Sequence, residues 1–202
     1  MQRHFSAVCL TALLIVASST AQAQAQAPAK EDASTCSRLW EFLQYTCNGA
    51  AKAWDGNDWD LYLPGYIHHG QGTYSPEKLA TLNSSAWGGG VGKRYVDENN
   101  RTHFLYAAVY QDSHYKPEYF AGYGWLAHWK PWGDTGFRVG GGFTATVTLK
   151  SSYSEYTVPV PVLLPIAEIA WNKFSIMGLY VPRISSNGGN GDVRLLWGRY
   201  AF

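Results

Sequence analysis

Phe137-Arg138-Val139-Gly140-Gly141-Gly142-Phe143-Thr144-Ala145-Thr146-Val147-Thr148-Leu149-Lys150 alternates without a break. Phe137, Val139, Gly141, Phe143, Ala145, Val147 and Leu149 fall on one face. Arg138, Gly140, Gly142, Thr144, Thr146, Thr148 and Lys150 fall on the other. Successive side chains of a strand point to opposite sides, so this is a strand with one apolar and one polar face. It is longer than the roughly 9–11 residues that a tilted strand needs to cross a bilayer. A continuous apolar face outside and a polar face inside is the pattern of a membrane barrel.

Seven more runs of this texture flank it: Trp59–His69, Trp87–Val96, Thr102–Gln111, Tyr119–Trp129, Leu163–Trp171, Phe174–Val181 and Asp192–Phe202. Their connections alternate in length. Asp97–Arg101, Lys130–Gly136 and Asn172–Lys173 are short, whereas Gly70–Ala86, Asp112–Glu118, Ser151–Val162 and Pro182–Gly191 are long. Outer-membrane barrels have short periplasmic turns and long outer loops, and an even strand count returns the C-terminus to the periplasm. The expected fold is all-β, an eight-stranded antiparallel transmembrane barrel. Leu196, Tyr200 and Phe202 give the last strand a lipid face.

The rest of the chain agrees with an exported membrane protein. Residues 1–25 have the form of a signal peptide: Arg3 and His4, an apolar run at Ala7–Ala17, then Ala-Gln-Ala sites. That run is shorter than the roughly 20 residues of a membrane helix. Nine Trp and 14 Tyr enrich the chain in side chains that favour membrane interfaces. The 16 basic and 15 acidic residues nearly balance, which predicts no nucleic-acid partner. Residues 26–54 are read as a flexible start and an amphipathic interfacial helix, and 55–202 as the barrel. The helix is expected over Ser37–Trp54 with Ser37 as its N-cap. On one continuous helix Cys36 and Cys47 would stand about 16 Å apart at 1.5 Å per residue. Both are therefore read as apolar helix residues and not as a bridge.

The barrel segments carry a more specific signature. Asp60-Leu61-Tyr62-Leu63-Pro64 before His69, Trp87-Gly88-Gly89-Gly90, Gln111-Asp112-Ser113, Ala121-Gly122-Tyr123-Gly124-Trp125, Gly142-Phe143-Thr144-Ala145, Pro161-Val162-Leu163-Leu164-Pro165 and Tyr180-Val181-Pro182 follow one another in order. Over residues 54–202 this order and spacing resembles the lipid A palmitoyltransferases of Gram-negative outer membranes. The resemblance implies a monomeric barrel that moves palmitate from a phospholipid donor to lipid A, with no cofactor. It implies catalytic roles for His69, Asp112 and Ser113. It also makes Gly124 the position that sets how deep the acyl chain reaches.

Elementary chemistry asks for the same parts. Acyl transfer needs a hydroxyl, a base for its proton and donors for the developing oxyanion. His69 opens the first long loop and Asp112-Ser113 opens the second, so loop parity delivers all three to the outer rim. Asp112 and Ser113 are adjacent, and in a strand they would face opposite ways. Either the strand has ended there or only one reaches the site. The pattern is compatible with an acyl-serine intermediate and with direct attack by the acceptor. His68 is read as interfacial, His114 as solvated, and His103 and His128 as too near the periplasmic end to take part.

For the acyl chain, Gly122, Gly124 and Gly142, with Gly140, would face inward and leave interior space; the alternative is that they only ease strand curvature. Pro64, Pro165 and Pro182 each remove a ladder donor and would loosen strand pairing near the outer rim; the resemblance implies that such breaks serve as lateral doors for lipid. Ala86 stands where the family's other lateral door has a proline, which leaves access on that side open to question. Gly88–Lys93 lacks phosphate-loop spacing, with Trp87 and Arg94 flanking it, and no metal-ligand spacing stands out. Two other readings keep part of this pattern: a non-catalytic outer-membrane barrel, and a soluble lipid-binding barrel with a water-compatible exterior.

Overall fold

In the computed structural model, which describes residues 35–150, 158–183 and 191–202, the strand quoted above is β5, Phe137–Lys150. The expected signal peptide, the rest of the chain up to residue 34 and most of the loops after β5 and β7 lie outside the described residues. The other strands are β1 (Trp59–His69), β2 (Gly88–Val96), β3 (Arg101–Gln111), β4 (Pro117–Trp129), β6 (Val158–Trp171), β7 (Phe174–Val181) and β8 (Val193–Ala201). Each pairs antiparallel with its sequence neighbours, and β8 closes on β1 from Asp60↔Ala201 to His69↔Val193. A two-residue ladder, Ser85–Ala86, adds to the outer end of β1. This is the expected eight-stranded barrel.

Alternation decides what the wall faces. On β5, Thr144 and Thr146 are buried while Val147 is exposed. Around the outside, Leu61, Val91, Val109, Leu163, Ile169, Ile176 and Leu196 form an exposed apolar band. Trp59, Trp129, Trp132, Trp171, Phe174 and Phe202 are exposed at the turn end of the strands, and Tyr66, Trp87 and Tyr119 at the opposite end. An apolar belt between aromatic girdles is the exterior of a lipid-embedded barrel, not of a soluble one. No described helix is long and apolar enough to cross a membrane.

The lower lumen is packed with charge. Arg199, 1% exposed, is ion-paired with Glu168 and stands 3.7 Å from Asp60, which Arg94 bonds at 2.6 Å. His128 Nε2 and Glu168 Oε2 are 2.5 Å apart. This cluster closes the barrel's lower half, and it places His128 far from the outer rim, as expected.

The N-terminal helix departs from expectation. It runs over Glu41–Asp55 (α1), its N-cap position is Trp40 with no side-chain cap, and a 3₁₀ turn at Thr35–Arg38 precedes it. Because the chain turns back between the two elements, Cys36 and Cys47 come within 5.7 Å at Cα and form a disulfide. The reading as unbridged helix residues is therefore corrected: the distance argument failed because the helix is not continuous. A loop this short constrains the unfolded chain by up to about 3 kcal/mol. Cys47→Ser should free residues 36–45 to limited proteolysis while leaving the melting of the barrel unchanged; an equal loss of both would show that the bridge supports the barrel itself.

α1 lies against the outside of β2 and β3. Gly49 allows this approach, since a Cβ there would lie 1.9 Å from the His103 ring. Tyr45 donates to Asp97 at 2.5 Å, and His103 Nδ1 lies 2.7 Å from the Tyr123 hydroxyl. Burial pushes the Asp97 carboxyl up, but bonds from Tyr45 and from the Arg101 and Asn99 amides outweigh it and hold it below the usual carboxylate range. Trp40, Phe42, Leu43 and Trp54 remain exposed along the helix, the face an interfacial helix presents to lipid.

Candidate active site

β3 ends at Gln111, and the chain then turns tightly: the Asp112 amide donates to Lys116 O at 2.7 Å and the Tyr115 amide to Asp112 O at 3.1 Å. Tyr115 takes a positive φ of 62° to complete the turn. The strand alternation therefore stops before Asp112, and both Asp112 and Ser113 reach the barrel mouth. Asp112 Oδ1 accepts the His114 amide at 2.8 Å and the Lys116 amide at 2.9 Å, which fixes the turn from within.

His69 closes β1 on the same rim. Its Nε2 stands 2.9 Å from Ser113 Oγ, across 44 residues of sequence. His69 and Asp112 are 6% and 3% exposed, so both side chains sit at the edge of water and not in it. Tyr74 stands edge-on to the His69 ring. His114 is half-exposed, with Nδ1 3.9 Å from Asp112 Oδ2. His68 pairs with Arg194 in the ladder, one residue out of phase with His69.

Asn83 was missed by sequence reasoning. It is buried, its amide donates to Ser113 O at 2.8 Å, and its Nδ2 donates to Ser85 O and more weakly to Asp112 O. The first long loop thereby clamps the serine turn. Nothing in Asn83-Ser84-Ser85 marks this pairing, because it depends on a contact between two loops.

Beneath the rim opens a cavity of about 640 Å³, whose mouth is lined by His69, Asp112 and Ser113. Its walls are mostly apolar, with Ile67, Ala108, Phe120, Val162, Leu164, Leu179 and Leu195. The β5 threonines on the wall do not make it polar. Thr144 and Thr146 donate to the carbonyls of Tyr123 and Ala121, at 3.1 and 3.0 Å. The floor carries Tyr62, Phe104 and Ile166.

Gly122, Gly124 and Gly142 are not among the residues that line this cavity. A Cβ on Gly122 would meet Ala145 O at 2.6 Å, and one on Gly142 would meet Trp125 O at 1.9 Å. These two glycines allow close strand approach. All three lie on the lumen side, opposite Tyr106, Phe104 and Leu126 in the ladder, and the Phe104 ring already covers Gly124.

The ladder is open at two seams. β6 pairs with β5 over its whole length but with β7 only from Ile166↔Leu179 downward. Above Pro165, β6 has a single ladder neighbour among the described residues, a place where Pro159 and Pro161 are tolerated. Pro182 follows the last residue of β7. At the other seam, β1 leaves β2 after Tyr62↔Gly90 and meets Ala86 only at Gly65. Pro64 lies in the bulge between, and the Tyr110 hydroxyl donates to the free Leu63 carbonyl at 3.2 Å. Ala86 is thus compatible with an interrupted ladder on that side.

The sequence profile of the family described as antimicrobial peptide resistance and lipid A acylation protein PagP matches residues 50–199. The lipid A palmitoyltransferase PagP of Escherichia coli (strain K12) is 37% identical over 153 residues, covering 75% of this chain and 80% of that protein. The lipid A acyltransferase PagP of Shigella flexneri serotype X (strain 2002017) has the same identity and coverage. A further palmitoyltransferase, from E. coli strain W, is 38% identical over 144 residues, 71% of this chain and 75% of its own. A closed barrel, a His–Ser pair at its rim and relatives matched over three-quarters of the sequence lead to one assignment: the chain belongs to the PagP family of antimicrobial peptide resistance and lipid A acylation proteins.

Proposed function

We propose that this chain is an acyltransferase of the Gram-negative outer membrane that moves a palmitoyl chain from a phospholipid to lipid A, as a monomer and without a cofactor. One observation carries the reading: His69 Nε2 within 2.9 Å of Ser113 Oγ at the mouth of an apolar slot. The donor's acyl tail enters the slot and its ester carbonyl comes to rest at the rim. His69 takes the proton of the attacking hydroxyl, the new ester C–O bond forms, and the lysophospholipid oxygen leaves with that proton. Asp112 holds the turn that presents Ser113. The open seam above Pro165, with Pro182 at the end of β7, and the bulge at Pro64 serve as lateral lipid entrances.

Refolded barrel given phospholipid and lipid A should yield lipid A with one added acyl chain by mass spectrometry. Lipid A of unchanged mass sinks the proposal. The attacking hydroxyl is identified by leaving lipid A out: a protein mass increased by one acyl group, absent in Ser113→Ala, is expected for an acyl-serine route. An unmodified protein that still transfers when lipid A is present assigns direct attack.

A further inference from the structure

We infer that His68, Arg194 and Tyr180 form a site on the outer wall of the barrel that binds a phosphate of lipid A and so holds the acceptor beside the catalytic mouth; the inference rests on the acyl-transfer reading above. The three lie in one row on neighbouring strands, because Arg194 of β8 pairs with His68 of β1 on one side and with Tyr180 of β7 on the other. Their chain neighbours Ile67, His69, Leu179, Val181, Val193 and Leu195 all line the cavity. Alternation therefore turns the row outward. Arg194 and Tyr180 are exposed and His68 is half-buried. Among the described residues, none of the three has a hydrogen-bond or ion-pair partner. The carboxylate nearest to Arg194 in the chain, Asp192, already accepts from Thr73 at 2.6 Å.

Depth and chemistry fit a lipid phosphate. One step lower on the same face stand Tyr66 and Leu196, paired with each other, so the row lies about 7 Å along the strands above the outer aromatic girdle. A basic side chain on a lipid-facing wall is costly at mid-membrane and cheap only near the interface. Headgroups lie at that height, and their anionic charge attracts basic side chains. A guanidinium meets a phosphate with a two-pronged bond, and the imidazole and phenol add donors on either side. The occupant follows from the slot. The donor is held by its tail inside the barrel, so its ester and headgroup stay within the rim. The acceptor keeps its own tails in the membrane and has to be gripped from outside. Leu196 and Ile176, exposed below the row, offer those tails an apolar wall. The row also borders the opening between β6 and β7, since Tyr180 lies just past Leu179, the last β7 residue paired with β6 among the described residues. Lipid A docked here has its sugar at the height of His69, which follows His68 in the chain and faces the other side of the wall.

The test titrates the refolded full barrel in detergent with lipid A bearing two phosphates, one or none, and reads bound lipid by native mass spectrometry. Wild type should bind the doubly phosphorylated form most tightly. Arg194→Gln should weaken that binding about tenfold, the worth of one charged hydrogen bond, and erase the preference. Arg194→Lys keeps the charge but loses the fork, and should fall between. His68→Ala is the second variant, with a smaller loss in the same direction. Lys173→Gln takes the same charge from the exposed turn end of the barrel and should change nothing. Heat-modifiable migration checks that each variant folds. A wild-type affinity that ignores the phosphates overturns the inference, as does a folded Arg194→Gln that binds like wild type. A loss seen only with phosphatidylglycerol overturns it by giving the row to the donor, and a loss matched by Lys173→Gln overturns it by showing net charge alone. In transfer assays, Arg194→Gln should raise the KM for lipid A and leave the KM for phospholipid where it is. Binding needs no acyl transfer, so the two readings fail separately. A barrel that prefers phosphorylated lipid A yet never acylates it sinks only the acyltransferase reading, whereas normal transfer with an unmoved affinity sinks only the row.

Discussion

Arg199→Met should lower the unfolding free energy of the barrel by about 3–5 kcal/mol, the usual cost of breaking a buried charge pair on one side. Arg199 is fully enclosed and serves two carboxylates at once, Glu168 through an ion pair and Asp60 at 3.7 Å. Its Nε also donates to Ser175 at 3.1 Å. Taking the cation away leaves Glu168 to His128 and Arg138, and Asp60 to Arg94. Both carboxylates then lose their one fully enclosed cation and depend on the partly exposed Arg138 and Arg94. Urea titration in detergent, followed by tryptophan fluorescence, gives the number. Adding Glu168→Gln to Arg199→Met should cost less than the sum of the two single changes, because each removes the other's unpaired charge. Strict additivity would show that the two side chains do not act as a pair.

His69→Ala should reduce acyl transfer by about 10²–10⁴-fold, the typical worth of a positioned general base. The barrel should fold as before, because His69 is the last residue of β1 and its ring stands at the mouth. Ser113→Ala should fall into the same range. The double variant should be little worse than either single one, since a base without its hydroxyl partner has lost its function. Transfer rates by mass spectrometry, with heat-modifiable migration as the check on folding, measure both quantities. A His69→Ala barrel that keeps more than a tenth of wild-type activity would remove the residue from the mechanism.

The wall of this barrel was legible because each strand has one side in lipid and the other in the lumen. That contrast writes a period of two into the sequence, and β1, β5 and β7 begin and end where the alternation does. β6 departs furthest from it. Pro159 and Pro161 read as loop, yet the strand starts at Val158, because above Pro165 it is bonded, among the described residues, on one side only and tolerates missing donors. The meeting of His69 with Ser113 followed from loop parity, a property of the whole chain order. The filling of the space over Gly124 did not, since pairing Phe104 with Gly124 requires a register that alternation alone leaves free. The disulfide was hidden for a similar reason: spacing gives separation along a helix, and the helix begins later than its apolar residues do.

The half-zipped contact between β6 and β7 has a consequence for how the cylinder comes apart. Its lower staves are bound on both edges and nailed by paired charges, whereas the upper part of β6 hangs, among the described residues, from β5 alone. Amide exchange with deuterium should be fastest there, around Val160 to Leu164. On heating, the barrel should split from its outer lip downward, so that the lip is lost while the charged base still holds its shape.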